Sequence, residues 1–123
     1  MNNITWCLQA KNGLQIVEPN AQLSEAYFKK AEGALRALSV LENNRDWEIS
    51  TAYYAMYFSV YALLTSIGIK SELHSCTLHC MNTFLKKFIS REHRDIIITA
   101  QKARIDTQYY SNRNVSEEKY KTI

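Results

Sequence analysis

The sequence predicts an all-α fold, an antiparallel up-and-down bundle of four to five helices, and three observations carry that expectation. Apolar residues recur at intervals of three and four over at least four segments, which is the helical period and not the strand period. The chain of 123 residues holds three Gly and one Pro, too few backbone breakers for many short strands and their turns. That length also gives room for one hydrophobic core. Residues 1–123 are therefore read as a single domain, with the core over 20–112, a short N-terminal helix within 1–19, and a short C-terminal helix or tail over 113–123.

Residues 4–14 admit a short helix with Trp6 turned inward. The first long helix is expected after Pro19, capped by Asn20, with Leu23, Tyr27, Ala31, Ala34, Leu35, Leu38 and Leu41 on one stripe and a stop at Asn43 and Asn44. The second runs from about Trp47, capped by Asp46 or Asn44, to Gly68. It is apolar nearly all round, so in water it must be enclosed by neighbours. Its rings and phenol hydroxyls distinguish it from a lipid-facing span, and its small residues Ser50, Ala52, Ala55, Ser59 and Ala62 let another helix approach closely. A third helix, capped by Ser71, should turn Leu73, Thr77, Cys80, Met81, Phe84, Leu85 and Phe88 inward. A fourth starts at Ser90 and buries Ile96, Ile97, Ala100, Ala103, Thr107 and Tyr110. Asn114 and Glu117 stand in capping-box spacing before a last segment shorter than a stably packed helix, expected to be a frayed tail or a cut-off element.

Composition narrows the function classes. Hydrophobic residues make up 46% and charged residues 22%, an ordinary globular balance that excludes a disordered or collagen-like chain. A net charge of +3 permits contact with a phosphate backbone without demanding it. No window reaches the roughly 18 uncharged apolar residues of a membrane span, although residues 51–67 come close. The first ten residues lack a basic start followed by an apolar run, so a cytoplasmic location is expected. Three cysteines, Cys7, Cys76 and Cys80, suggest no disulfide framework.

His74, Cys76, His79 and Cys80 resemble metal ligands in spacing, but zinc needs a further ligand from a second element and Cys80 belongs to the core stripe, so no metal is expected. His74, near a helix start, is a capping or packing residue, or else a ligand contact. Tyr53, Tyr57 and Tyr61 form a stripe that suits core packing better than base stacking, because an enclosed ring cannot meet a base. Lys86, Lys87, Arg91, His93 and Arg94 cluster around one turn. That corner is a solvated surface or the best footprint for a phosphate backbone, with Lys86, Lys87, Arg91 and Arg94 as the candidate contacts.

Tyr27, Lys30, Ala31, Ala34 and Leu35, then Ala52-Tyr53-Tyr54-Ala55-Met56-Tyr57, Ala62-Leu63-Leu64, Ile67-Gly68, His74 and Phe84, together resemble the HEPN domain family, in particular its small stand-alone prokaryotic branch. The resemblance implies a HEPN-like helical bundle, often a homodimer, often produced beside a minimal nucleotidyltransferase in a toxin–antitoxin-like module. Many members look like metal-independent ribonucleases that use an Arg and a His about four to six residues later. No arginine of this chain has a His at that offset; the nearest relic is Arg104, followed by Asp106, Tyr109 and Tyr110. Arg with Tyr can hold a phosphate and stack a base, but a phenol of pKa about 10 is a poor proton shuttle. The resemblance thus implies a non-catalytic module that binds a nucleotide, an RNA or a nucleotidyltransferase through Arg104, Asp106, Tyr109, Tyr110 and His74, without cofactor or membrane. One alternative is a ribonuclease with a variant site, in which Arg104 stabilises the departing phosphate and Tyr110 or His74 handles protons. Another is a structural dimer subunit of a larger complex.

Overall fold

The computed structural model describes residues 3–109, the last of these by its backbone alone, and residues 115–123. Six helices are present among them: α1 (Ile4–Gln9), α2 (Ala21–Leu38), α3 (Arg45–Ser66), α4 (His74–Phe84), α5 (Arg91–Tyr109) and α6 (Glu117–Thr122). Two three-residue strands, β1 (Leu14–Ile16) and β2 (Ile69–Ser71), pair antiparallel with Leu14 opposite Ser71. The fold is the all-α bundle that the helical periodicity implies. Among the described residues no helix is long and apolar enough to cross a membrane.

Polar side chains set the helix starts. Asn20 Oδ1 accepts from Leu23 N at 2.9 Å, Asn44 Oδ1 from Trp47 N at 3.4 Å, and Ser90 Oγ from His93 N at 3.2 Å. Each satisfies an amide that the first turn leaves unpaired. Asn44, not Asp46, is thus the cap of α3, and Ser116 caps α6 by accepting from Lys119 N. Asn114, the cap expected there, lies outside the described residues.

α3 is the axis. Ile49, Ala52, Tyr53, Ala55, Tyr57, Val60, Tyr61, Ala62 and Leu64 are all buried, on every side of the helix. α2 runs antiparallel to it, with Ser24 Oγ donating to Ala62 O at 2.7 Å and the Tyr27 ring meeting Tyr61 edge-on and Phe58 face to face. α5 packs on another side, bringing Ala100 against Tyr53 and Tyr57. The largest buried cluster joins Val60 and Leu64 to Cys80, Met81 and Leu85 from the α4 side and to Ile97 of α5.

Several expectations need correction. α2 ends at Leu38, where Ser39 Oγ takes the Arg36 carbonyl and the chain tightens into three-residue turn bonds, Val40 N to Ala37 O and Leu41 N to Leu38 O, before Asn43 turns at φ +61. Leu23 and Leu35 are exposed, and buried Ser24 takes a place on the inner face instead. Trp6 and Trp47 are also exposed, as are Phe84 and Phe88, since α4 stops at Phe84. Ser71 caps no helix: it lies in β2, held extended by β1, and α4 starts at His74.

The cysteines depart furthest from the sequence reading. Cys7 of α1 and Cys76 of α4, separated by 69 residues, form a disulfide, and both are fully buried. The β1–β2 pair brings them together by laying the α1 segment across the start of α4. Gly13 is part of that layout, because a Cβ there would collide with the Cys7 carbonyl.

Candidate functional site

His74 occupies the first turn of α4, where the extended β2 segment has carried the chain back alongside α3 to the level of Tyr53. Its ring stacks on Tyr57, centroids 4.2 Å apart and planes within 8°, and Tyr54 meets it edge-on. The Tyr53 hydroxyl and His74 Nδ1 are 2.7 Å apart. Tyr53 is fully buried, and burial, reinforced by Tyr57, pushes its phenol far above the ordinary value, so the hydroxyl keeps its proton. Among the described residues that proton has no acceptor other than His74, and a buried donor left unmade is costly. Tyr53 therefore donates and Nδ1 accepts. The neutral imidazole then carries its hydrogen on Nε2.

Burial lowers the His74 pKa below its ordinary value, and the nearby Arg104 guanidinium lowers it further. Tyr57 is also held protonated, chiefly by burial, and lies 3.3 Å from Thr77 Oγ1. Thr77 Oγ1 itself donates to Leu73 O.

Arg104 approaches the same rings from α5. Its guanidinium carbon lies 5.0 Å from the Tyr53 centroid and 5.6 Å from that of Tyr54, and the residue is 8% exposed. Nη1 donates to Gln108 Oε1 at 2.9 Å and Nη2 to Gln101 Oε1 at 3.4 Å, one turn to either side on the same helix. These amides satisfy hydrogen bonds without cancelling charge. No carboxylate pairs with the guanidinium among the described residues, and its buried Nε has no partner. A buried cation over aromatic faces, with no carboxylate partner among the described residues, is an arrangement ready for an anion, because desolvation has already been imposed on the protein side.

The structure thus unites two of the candidates, Arg104 and His74, through Tyr53. Asp106 is half-buried and, two residues on, points about 200° away around α5, so it does not share that face. The side chain of Tyr109 and the whole of Tyr110 lie outside the described residues. Lys86, Lys87 and Arg91 are exposed at the opposite end of α5, with Arg91 about 20 Å along the helix from Arg104. Arg94 there donates to Asn82 Oδ1 at 3.3 Å, and its Nε is a second buried nitrogen without a partner among the described residues. Cys76 is consumed by the disulfide, while the buried Cys80 thiol is pushed up to about 11. No group of three metal-ligating side chains converges among the described residues.

Sequence reasoning missed Tyr53 and Tyr54 as the floor under Arg104, and Gln101 and Gln108 as its supports. Their spacing of three and four from Arg104 was the available signal.

A family model described as the HEPN domain matches residues 24–123. No curated protein and no solved structure matches the chain.

Proposed function

Since the chain belongs to the HEPN domain family, we propose that it is a non-catalytic nucleotide- or RNA-binding module whose phosphate site is Arg104, working as a homodimer beside a minimal nucleotidyltransferase in a toxin–antitoxin-like pair. The family supports a nucleotide- or RNA-related role in general. The observation that carries the finer reading is the buried Arg104 guanidinium, which lacks a carboxylate partner among the described residues and lies against Tyr53 and Tyr54. Exposed Phe28 and Leu35 on α2 support a face for a second copy.

Binding is favoured over cleavage by the tautomer of His74. A general base needs a nitrogen lone pair facing substrate, and Tyr53 already occupies Nδ1 while Nε2 bears hydrogen. In that form the ring offers a hydrogen-bond donor, suited to a phosphate or carbonyl oxygen.

The test is fluorescence anisotropy with labelled single-stranded RNA and with nucleotides as competitors. Arg104→Ala should weaken binding by about ten- to a hundredfold, the worth of hydrogen bonds to a charged group. Unchanged affinity in Arg104→Ala would overturn the assignment.

A variant ribonuclease is the second reading, and the meeting of Arg104 and His74 on one tyrosine ring is the observation that favours it. Metal-free incubation with RNA separates the two: cleavage lost in both Arg104→Ala and His74→Ala would establish it, and intact RNA at high protein concentration would remove it.

A further inference from the structure

Trp47, Ser50 and Tyr54 fall on one stripe of α3, because steps of three and four return to the same face of a helix. Between that stripe and the end of α5 lies a cleft of about 450 Å³ lined by Asp46, Trp47, Ser50, Thr107 and Gln108. Its volume lies in the range of small-molecule sites, roughly 300–1,000 Å³. Gln108 is also the residue that accepts from Arg104 Nη1, so the cleft and the buried cation share a wall. Tyr54, beneath the guanidinium, continues the stripe toward the cation.

The cleft's chemistry is distinct from that of the phosphate site. Trp47 is 58% exposed and lines the cleft, so its indole is open to solvent there. Next to it, Asp46 brings a carboxylate that makes no hydrogen bond or ion pair among the described residues. Trp47 and Tyr54 are seven residues apart, about 10 Å of helix, so the stripe spans the distance from the cleft to the ring beneath Arg104.

Resting on the phosphate site at Arg104, we propose that this cleft is a nucleobase subsite selective for guanine. Trp47 stacks the base, as aromatic faces do for single-stranded nucleic acid. The Asp46 carboxylate accepts from the ring N1–H and the exocyclic amino group. An ionised carboxylate can only accept, and guanine is the common base with two adjacent donors on one edge, so the pairing is bidentate. Adenine, cytosine and uracil each offer at most one amino or imino donor there, beside an acceptor that the carboxylate repels. Ser50 and Gln108 supply the polar atoms between base and cation.

The full chain carrying Trp6→Phe leaves Trp47 as its one tryptophan. Titration with GMP, IMP, AMP and UMP, followed by tryptophan fluorescence and calorimetry, then tests the subsite. GMP should quench Trp47 and bind at least about tenfold more tightly than AMP or UMP, with IMP, which lacks the amino group, in between. Asp46→Asn should abolish the preference while retaining binding, and Arg104→Ala should weaken all four. Arg104-dependent binding with equal affinity for GMP and AMP, or a guanine preference that survives Asp46→Asn, overturns the subsite and leaves the phosphate site standing. Absence of binding by every nucleotide overturns both.

Discussion

His74 is placed so that its protonation works against the fold. Burial first, and Arg104 second, hold its folded pKa below the ordinary 6.5, so the unfolded chain takes up the proton before the folded one does. Stability is then complete above about pH 6.5 and falls as pH drops through that value toward the folded pKa. Thermal unfolding between about pH 7.5 and 5.5 should show the midpoint declining on acidification, and His74→Gln should flatten the decline. A wild-type profile that is level over this window would contradict the burial of His74 beside Arg104. At this scale the sequence was only partly legible. Arg104 and His74 could be singled out, but nothing in their 30-residue separation says that Tyr53 joins them. Gln101 and Gln108 look like ordinary surface amides until a buried guanidinium is found between them.

The element that decides the site is the extended return from α3 to α4. Gly68 starts it at φ +84, a left-handed geometry, and a Cβ there would collide with the Val17 carbonyl, whose own N–H donates to Gly68 O at 2.8 Å. Gly68→Ala should therefore destabilise by about 1–3 kcal/mol in chemical denaturation, the usual cost of forcing a side chain into such a geometry. The same variant should loosen His74 from Tyr53, seen as a shift of the His74 ring nitrogens in NMR spectra; an unchanged stability and spectrum would show that β2 does not position the histidine. Gly68 was readable as the end of a helix. The strand after it was not, because Ile69–Ser71 are three residues whose partner, Leu14–Ile16, lies more than fifty positions away. Short strands carry too little periodicity to announce themselves, and their pairing is a tertiary event.

Across the whole molecule, the Cys7–Cys76 bond ties the N-terminal segment to α4, beside the histidine end of the site. Closing a loop of 69 residues removes disorder from the unfolded chain and should contribute about 4 kcal/mol. Reductant, or Cys7→Ser with Cys76→Ser, should lower the thermal midpoint by several degrees or more, and mass measurement of the native chain should find one thiol, that of Cys80. Two further alkylated thiols in the oxidised protein would refute the pairing. The sequence by itself determined the helical class, the enclosed α3 rod, most helix starts and the kinship, since periodicity, capping and local composition are properties of neighbours along the chain. Tertiary structure alone decided the disulfide, the strand pair and the convergence of Arg104, Tyr53 and His74, because these depend on which distant residues the packing of α3 brings within a few ångströms of one another.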